Sequence, residues 1–210
     1  MEDVMGYTTI KSACEAQFTE KHSEFISYLR PVVSNDEAVD FINEIRAKHR
    51  KATHNVYAYI LRDNNITRYS DDGEPQGTAG VPVLEVLRKN GLTDICCVVT
   101  RYFGGILLGG GGLVRAYSHA ARLAVDNAQI MDMCECFHVQ MKLDYNMYGK
   151  ITYALPEFET KQLSADFGDA VTLDLLVKHE KHEKFREKIT DITNGKVEIV
   201  TIAELFEDFR

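Results

Sequence analysis

"DICCVVTRYFGGILLGGGGLVRAYSHAARL", residues 94–123, holds six of the chain's 14 glycines and passes from one kind of backbone to another. Residues 94–100 are almost continuously apolar and rich in β-branched side chains, as in a central strand buried on both faces. From Leu113 onward the apolar positions fall at helical spacing. Leu113, Tyr117, Ala120 and Ala124, with Val114, Ala121 and Val125 beside them, predict a helix over 111–127. Its start lies inside the run Gly109–Gly112. A buried strand, a glycine turn and a long helix in succession mark a mixed α/β domain.

The flanking sequence extends this unit in both directions. Upstream, "YSDDGEPQGTAG" (69–80) places Asp71, Asp72 and Glu74 around one glycine, and Pro82 and Gly91 bracket a helix after it. "VYAYIL" (56–61) is strand-like. Ser34 and Glu37 form a capping box for a helix over 35–50. Residues 7–16 and 24–33 alternate as two strands around a turn near Glu20–His22. Downstream the rhythm changes: a strand over 137–145, a short helix over 148–158 disturbed by Pro156, strands 160–167 and 170–178 joined at Gly168-Asp169, a helix over 181–195 and a strand over 196–206. This βαββαβ order is the ferredoxin-like split motif. The expectation is an α+β protein of two domains, residues 1–133 and 134–210, divided near Met131–Glu135.

Composition narrows the function classes. The 210 residues are 45% hydrophobic and 27% charged, a globular balance. No apolar run approaches the ~20 residues of a membrane span. The N-terminal "MEDVMGYTTIKS" is too acidic and polar for a secretory signal. Five irregularly spaced cysteines make a disulfide framework implausible and favour a reducing, cytoplasmic setting. The net charge of −8 gives no bulk attraction to nucleic acid or anionic lipid, so any RNA contact must be a local basic patch. No membrane partner and no DNA sequence recognition are expected.

The motifs leave more than one chemistry open. A glycine-rich turn opening a helix offers backbone N–H groups to an anion. Equally, the glycines permit positive φ and close packing. Gly105 to Gly110 spaces as G-x-x-x-x-G, but Gly111 and Gly112 stand where a phosphate loop needs Lys and Ser/Thr, and Val114 breaks the dinucleotide pattern. Asp71, Asp72 and Glu74 lack calcium-loop spacing, and the preferred reading pairs these acids with Arg101 or Arg115 across a cleft. Arg101-Tyr102-Phe103 suits a protein hot spot or nucleotide stacking. Arg115, His119 and Arg122 share one helix face. "RAKHRKATH" (46–54) is the dense basic cluster, with Arg50 and Lys51 at a helix end. Cys134-x-Cys136-x-His138 lacks a partner pair for zinc, and His179-Glu-Lys-His182 is not H-E-x-x-H. No defensible nucleophile appears, so no catalytic residue, metal or cofactor is assigned and an enzyme is the less favoured class.

"SDDGEPQGTAGVPVL" followed by "VVTRYFGGILLGGGGLVRAY" resembles the signature of the IMPACT/YigZ family. Lys21, Ser23 and Phe25 in "KHSEF", and Ala52 and His54 in "KATHNVYAY", match earlier blocks of it. Gly110 departs from the alanine or threonine more usual there. The resemblance covers about residues 5–130, and residues 135–210 look like the second domain of the bacterial members. It implies a first domain similar to the second domain of ribosomal protein S-five, a fold shared with a late domain of elongation factor G. It also implies a direction: eukaryotic relatives are translational regulators that compete for a scaffold activating a starvation-responsive kinase. The candidate contact residues, for RNA, the ribosome or a protein partner, are Arg50, Lys51, His54, Asp71, Asp72, Glu74, Arg101, Tyr102, Gly104, Gly105, Gly111, Gly112, Arg115 and Tyr117. A small-molecule or nucleotide enzyme using the glycine loop, and a purely protein-binding module, are the rival classes.

Overall fold

The computed structural model describes residues 6–209; residues 1–5, which include both acids of the N-terminal stretch, and residue 210 lie outside them. The chain divides into two compact units, Tyr7–Met131 and, with Gly6, the residues from Asp132 onward. In chain order the first contains β1 (Tyr7–Ile10), β2 (Cys14–Glu20), β3 (Ser23–Pro31), α1 (Asn35–Lys48), β4 (His54–Leu61), β5 (Ile66–Ser70), α2 (Gly80–Lys89), β6 (Ile95–Tyr102) and α3 (Gly110–Asn127).

The apolar run at 94–100 becomes β6, the middle strand of an antiparallel sheet ordered β2-β3-β6-β4-β5. Side chains alternate across a strand. Ile95, Cys97 and Val99 therefore point to one face, where they pack with Leu87, Leu113, Tyr117 and Ala121 of α2 and α3. Cys96 and Val98 point to the other, where they meet Phe41, Ile42 and Ile45 of α1. Each large aliphatic side chain buried here contributes roughly 1.5–3 kcal/mol. This two-sided burial is why the run shows no polar alternation. α1 starts where the capping box places it: Ser34 Oγ accepts the Glu37 N–H at 3.2 Å, and Glu37 reaches back to the Val33 N–H at 2.9 Å.

Three details differ from the sequence reading. Residues 7–16 are two strands, β1 and β2, interrupted at 11–13; β1 turns aside so that the Thr8 carbonyl accepts the Thr93 N–H. β5 is an edge strand with exposed Arg68 and Tyr69, which carries no buried alternation to detect. The third concerns β7 (Ile130–Leu143), which begins at Ile130 rather than Phe137. Its early residues are half-buried without clear alternation, and from Met133 onward they pair with a distant strand.

That strand is β10 (Ile199–Asp208), which follows α4 (Tyr145–Ala154), β8 (Lys161–Phe167), β9 (Val171–Lys178) and α5 (His182–Thr193). It pairs with β7 as far as Asp208 opposite Met133. In this second unit the order β10-β7-β9-β8, all antiparallel, is that of the ferredoxin-like βαββαβ motif. Odd-numbered residues of β7 and β9, including Val139, Met141, Leu173 and Leu175, build one core with Ile151, Phe185 and Ile189 of the helices. Asp144 caps α4 by accepting the Met147 N–H at 2.8 Å, and Pro156 turns its end into a 3-10 segment. Among the described residues no helix is long and apolar enough to cross a membrane. The whole is a two-domain α+β protein.

Two buried histidines make the fold sensitive to acid. His49, at the end of α1, lies between the hydroxyls of Tyr28 (2.7 Å) and Tyr102 (2.9 Å). Burial, then the Lys48 ammonium, lowers its pKa. His182 is lowered by burial, then by Arg186. A depressed folded pKa means that stability is full above the free imidazole value of about 6.5 and is lost as pH falls below it. The urea midpoint should therefore drop between about pH 7.5 and about pH 5.5, and His49→Gln should shrink that drop. An unchanged pH dependence in the variant would remove His49 from the linkage.

Candidate functional site

Arg101 is the next odd-numbered residue of β6 after Val99, so the strand's alternation delivers its guanidinium to the α2/α3 face. The sheet register sets Phe25 of β3 and His54 of β4 directly beside it. Arg101 is only 5% exposed and Glu74 only 8%. Arg101 Nη1 donates to Glu74 Oε1 at 2.6 Å, and the Tyr117 hydroxyl donates to the same oxygen at 2.8 Å. Arg101 Nη2 donates to Ser23 Oγ at 3.3 Å. The rings of Phe25 and Phe103 flank the guanidinium at 5.4 and 5.6 Å. Burial, reinforced by the Glu74 carboxylate, pushes the Tyr117 phenol far above its ordinary value. Tyr117 thus stays a donor to Glu74 at any physiological pH.

The neighbouring acids have different duties. Asp71 accepts the N–H groups of Gly77 (2.9 Å), Ala79 (3.1 Å) and Gly80 (2.8 Å), satisfying the orphan donors at the start of α2. Asp72 accepts the Asn55 N–H at 2.6 Å and pairs with Arg46 at 2.8 Å. The Asp72 carbonyl meets His54 Nδ1 at 2.8 Å. A carbonyl only accepts, so Nδ1 carries the proton. His54 Nε2 then stands 3.7 Å from Glu74 Oε1.

The glycine stretch is shaped by close approach. A Cβ on Gly104 would come within 2.0 Å of the His22 carbonyl group, and the Gly104 N–H donates to Ser23 Oγ at 3.2 Å. No other residue fits there. Gly105 has φ 87°, in the left-handed region. The chain then runs through Ile106, Leu107 and Leu108 to Gly109, which caps α3; Gly111 and Gly112 lie in its first turn. The loop leaves Phe103 45%, Ile106 43% and Leu107 82% exposed. Beneath it opens a pocket of about 350 Å³. Glu74, Arg101 and His54 form its floor, Pro75 and Leu113 its sides, and Phe103, Leu107 and Leu108 its rim.

The structure brings together only part of the set anticipated from sequence. Glu74, Arg101, Tyr117 and His54 converge, and the expected acid–arginine pair is Glu74–Arg101. Arg115 does not join it: it lines a separate depression of about 280 Å³ with Lys21, Glu20 and His119. Tyr102 is an even-numbered residue of β6, so its side chain goes to the α1 face and bonds His49. Arg50 and Lys51 are exposed at the α1–β4 turn and line neither pocket. Arg101 is enclosed by Glu74, Ser23 and two rings, which commits Nη1 and Nη2 internally and leaves the buried Nε without a hydrogen-bond partner among the described residues. Thr53, Pro75 and the Leu107–Leu108 part of the rim were not singled out from sequence, and Ser23 entered only through the family resemblance. The available signal was three consecutive aliphatic residues between glycines, in a segment that is neither strand nor helix.

Comparison with known proteins gives two family models. The Impact N-terminal domain matches residues 21–125, and a domain of unknown function, DUF1949, matches residues 141–196. The chain is 40% identical over 195 residues to the IMPACT family member YvyE of Bacillus subtilis (strain 168), covering 92% of this chain and 90% of the relative. It is 32% identical to YigZ of Escherichia coli (strain K12), over 88% and 92%. The Protein IMPACT homolog of Dictyostelium discoideum is 42% identical over 113 residues, which is 51% of this chain and 31% of that protein. A solved structure described as a hypothetical protein, 29% identical, superposes with a TM-score of 0.60 over 94% of this chain and 98% of its own.

A buried ion pair is worth little net but is costly to break from one side. Arg101→Met, which strands the Glu74 carboxylate, should lower stability by about 3–5 kcal/mol in urea unfolding. The double variant Arg101→Met with Glu74→Gln should recover a large part of that loss. Additive effects would show that the two charges do not depend on each other.

Proposed function

The chain belongs to the IMPACT family, and from that premise we propose that it is a cytoplasmic binding protein of the translation apparatus that grips a protein partner by the Phe103–Leu108 rim. The translational direction comes from the family resemblance of its motifs. The cytoplasmic assignment is supported by five cysteines, all free. The choice of a protein over RNA is carried by one observation. The pocket rim is mostly exposed and aliphatic or aromatic, while the charges of its floor pair with each other within the chain and only the buried Arg101 Nε lacks a hydrogen-bond partner. A partner's apolar side chain entering the pocket loses water without stranding a charge, the condition of an interface anchor. A phosphate finds there only an arginine already paired with the Glu74 carboxylate.

A second reading, a small-molecule enzyme, has one observation in its favour. With Nδ1–H held by the Asp72 carbonyl, His54 keeps Nε2 available beside the pocket. The thiols do not add to it, because burial pushes Cys97 up to about 12 and raises Cys96 as well.

The readings separate in a sucrose-gradient co-sedimentation assay with ribosomal fractions, run with and without nuclease. Leu107→Asp should weaken association by about 2 kcal/mol or more, roughly 30-fold, while Arg50→Ala with Lys51→Ala should change it little. Loss in the basic double variant, with Leu107→Asp unaffected, would transfer the contact to RNA phosphates. Absence of any co-sedimentation by the wild type would sink the translational reading. A small molecule released on denaturing the purified protein, and lost in His54→Ala, would favour the enzyme.

A further inference from the structure

The second unit carries a group of side chains that the proposed function leaves unused. Glu135 lies on β7, Glu204 on β10, and His179 is the residue after β9. Strand register brings them together. Phe206 lies opposite Glu135 and Glu204 opposite Phe137, so the two glutamates are diagonal neighbours on one face of the sheet. Lys178 lies opposite Cys136, which places the next residue, His179, alongside Glu135. One ligand atom from each of the three side chains falls within 4.8 Å of the others.

Two features set this group apart from a chance meeting of surface acids. Among the described residues, neither carboxylate has an ion-pair or hydrogen-bond partner, although two like charges are held close together. The lysines nearest in sequence, Lys178 and Lys181, are turned to Glu159 instead, at 2.5 and 4.0 Å. The imidazole, moreover, is oriented: the His179 ring stacks on Phe137 at 5.1 Å and 27°. Phe137 is backed in turn by His182 at 4.2 Å. An aromatic platform that fixes a histidine beside two unneutralised carboxylates fits a cation ligand set.

We propose that Glu135, His179 and Glu204 form a binding site for a divalent ion of the zinc class. Ligands at about 2.0–2.2 Å from zinc sit roughly 3.4 Å from one another, so small side-chain rotations close the present spacing. One nitrogen and two carboxylate oxygens leave a fourth position for water. The imidazole favours zinc over magnesium or calcium, which take oxygen ligands.

The test is a titration of the full chain, stripped with chelator, with zinc alone against a chromophoric competitor. One zinc per chain should bind, and magnesium at about 100-fold excess should not displace it. Glu135→Gln, Glu204→Gln and His179→Gln should each weaken binding by about tenfold or more, and Cys134→Ser should not. The three positions are on or near the surface, and a thermal melt of each variant verifies its fold. If one variant fails to fold, the other two still decide. Cobalt in place of zinc should give a spectrum without a thiolate charge-transfer band. Absence of stoichiometric zinc, binding unmoved by all three substitutions, or a cobalt–thiolate band would each overturn the assignment. None of these outcomes depends on the partner-binding reading of the first unit.

Discussion

The Glu74 carboxylate ties three separate pieces of chain to one point. It sits on the acidic loop, receives Arg101 from the end of the central strand, and receives Tyr117 from the middle of α3. Placing a carboxylate and a guanidinium under a helix is expensive unless they answer each other, as they do here, with only Arg101 Nε left without a hydrogen-bond partner. The result is directional. The loop cannot move without stranding a charge, and α3 cannot rotate without withdrawing the phenol. The pair is a locking device more than a source of net stability.

Once this lock is set, the pocket follows from sterics. The loop after β6 has to pass tightly over His22 and Ser23, and only a glycine allows that passage at position 104. It must then climb to the start of α3, through Leu108, which packs partly against the core, and through Ile106 and Leu107, which no core receives. Their exposure results from a strand end and a helix start both pinned below. Apolar surface retained at such a cost suits contact with another macromolecule. The acids that look alike in sequence are divided by the same geometry: Asp71 serves a helix terminus, Asp72 a strand edge and Glu74 the buried pair.

The second unit uses strand register in a comparable way. Antiparallel pairing of β7 with both β9 and β10 places residues far apart in the chain side by side. On one face this makes a conventional apolar core. On the other it joins His138, Gln140 and Ser164 around the Asp174 carboxylate. Beyond the end of the core it gathers two glutamates and a stacked histidine.

Local pattern was sufficient for much of this protein. Two-sided burial of 94–100, the capping box at Ser34 and Glu37, the helical spacing after Gly112 and the βαββαβ rhythm each depend on neighbours within a few residues, and each is present. The existence of an acid–arginine pair was legible too, because unlike charges near a glycine turn have few alternatives. Which acid and which arginine was not. That choice depends on the parity of β6: Arg101 and Tyr102, adjacent in sequence, point to opposite faces of the sheet, and Arg115 comes up beyond the reach of Glu74. The early residues of β7 and the Glu135–His179–Glu204 group were invisible for the same reason, since both depend on strands distant in the chain, with Cys134 opposite Glu207 on β10 and Cys136 opposite Lys178 on β9. Sequence by itself determined most of the elements and their order, because those are set by local propensity and periodicity. Only the tertiary structure decided which side chains share a face, because that is set by strand register, and a shift of one residue would reverse it.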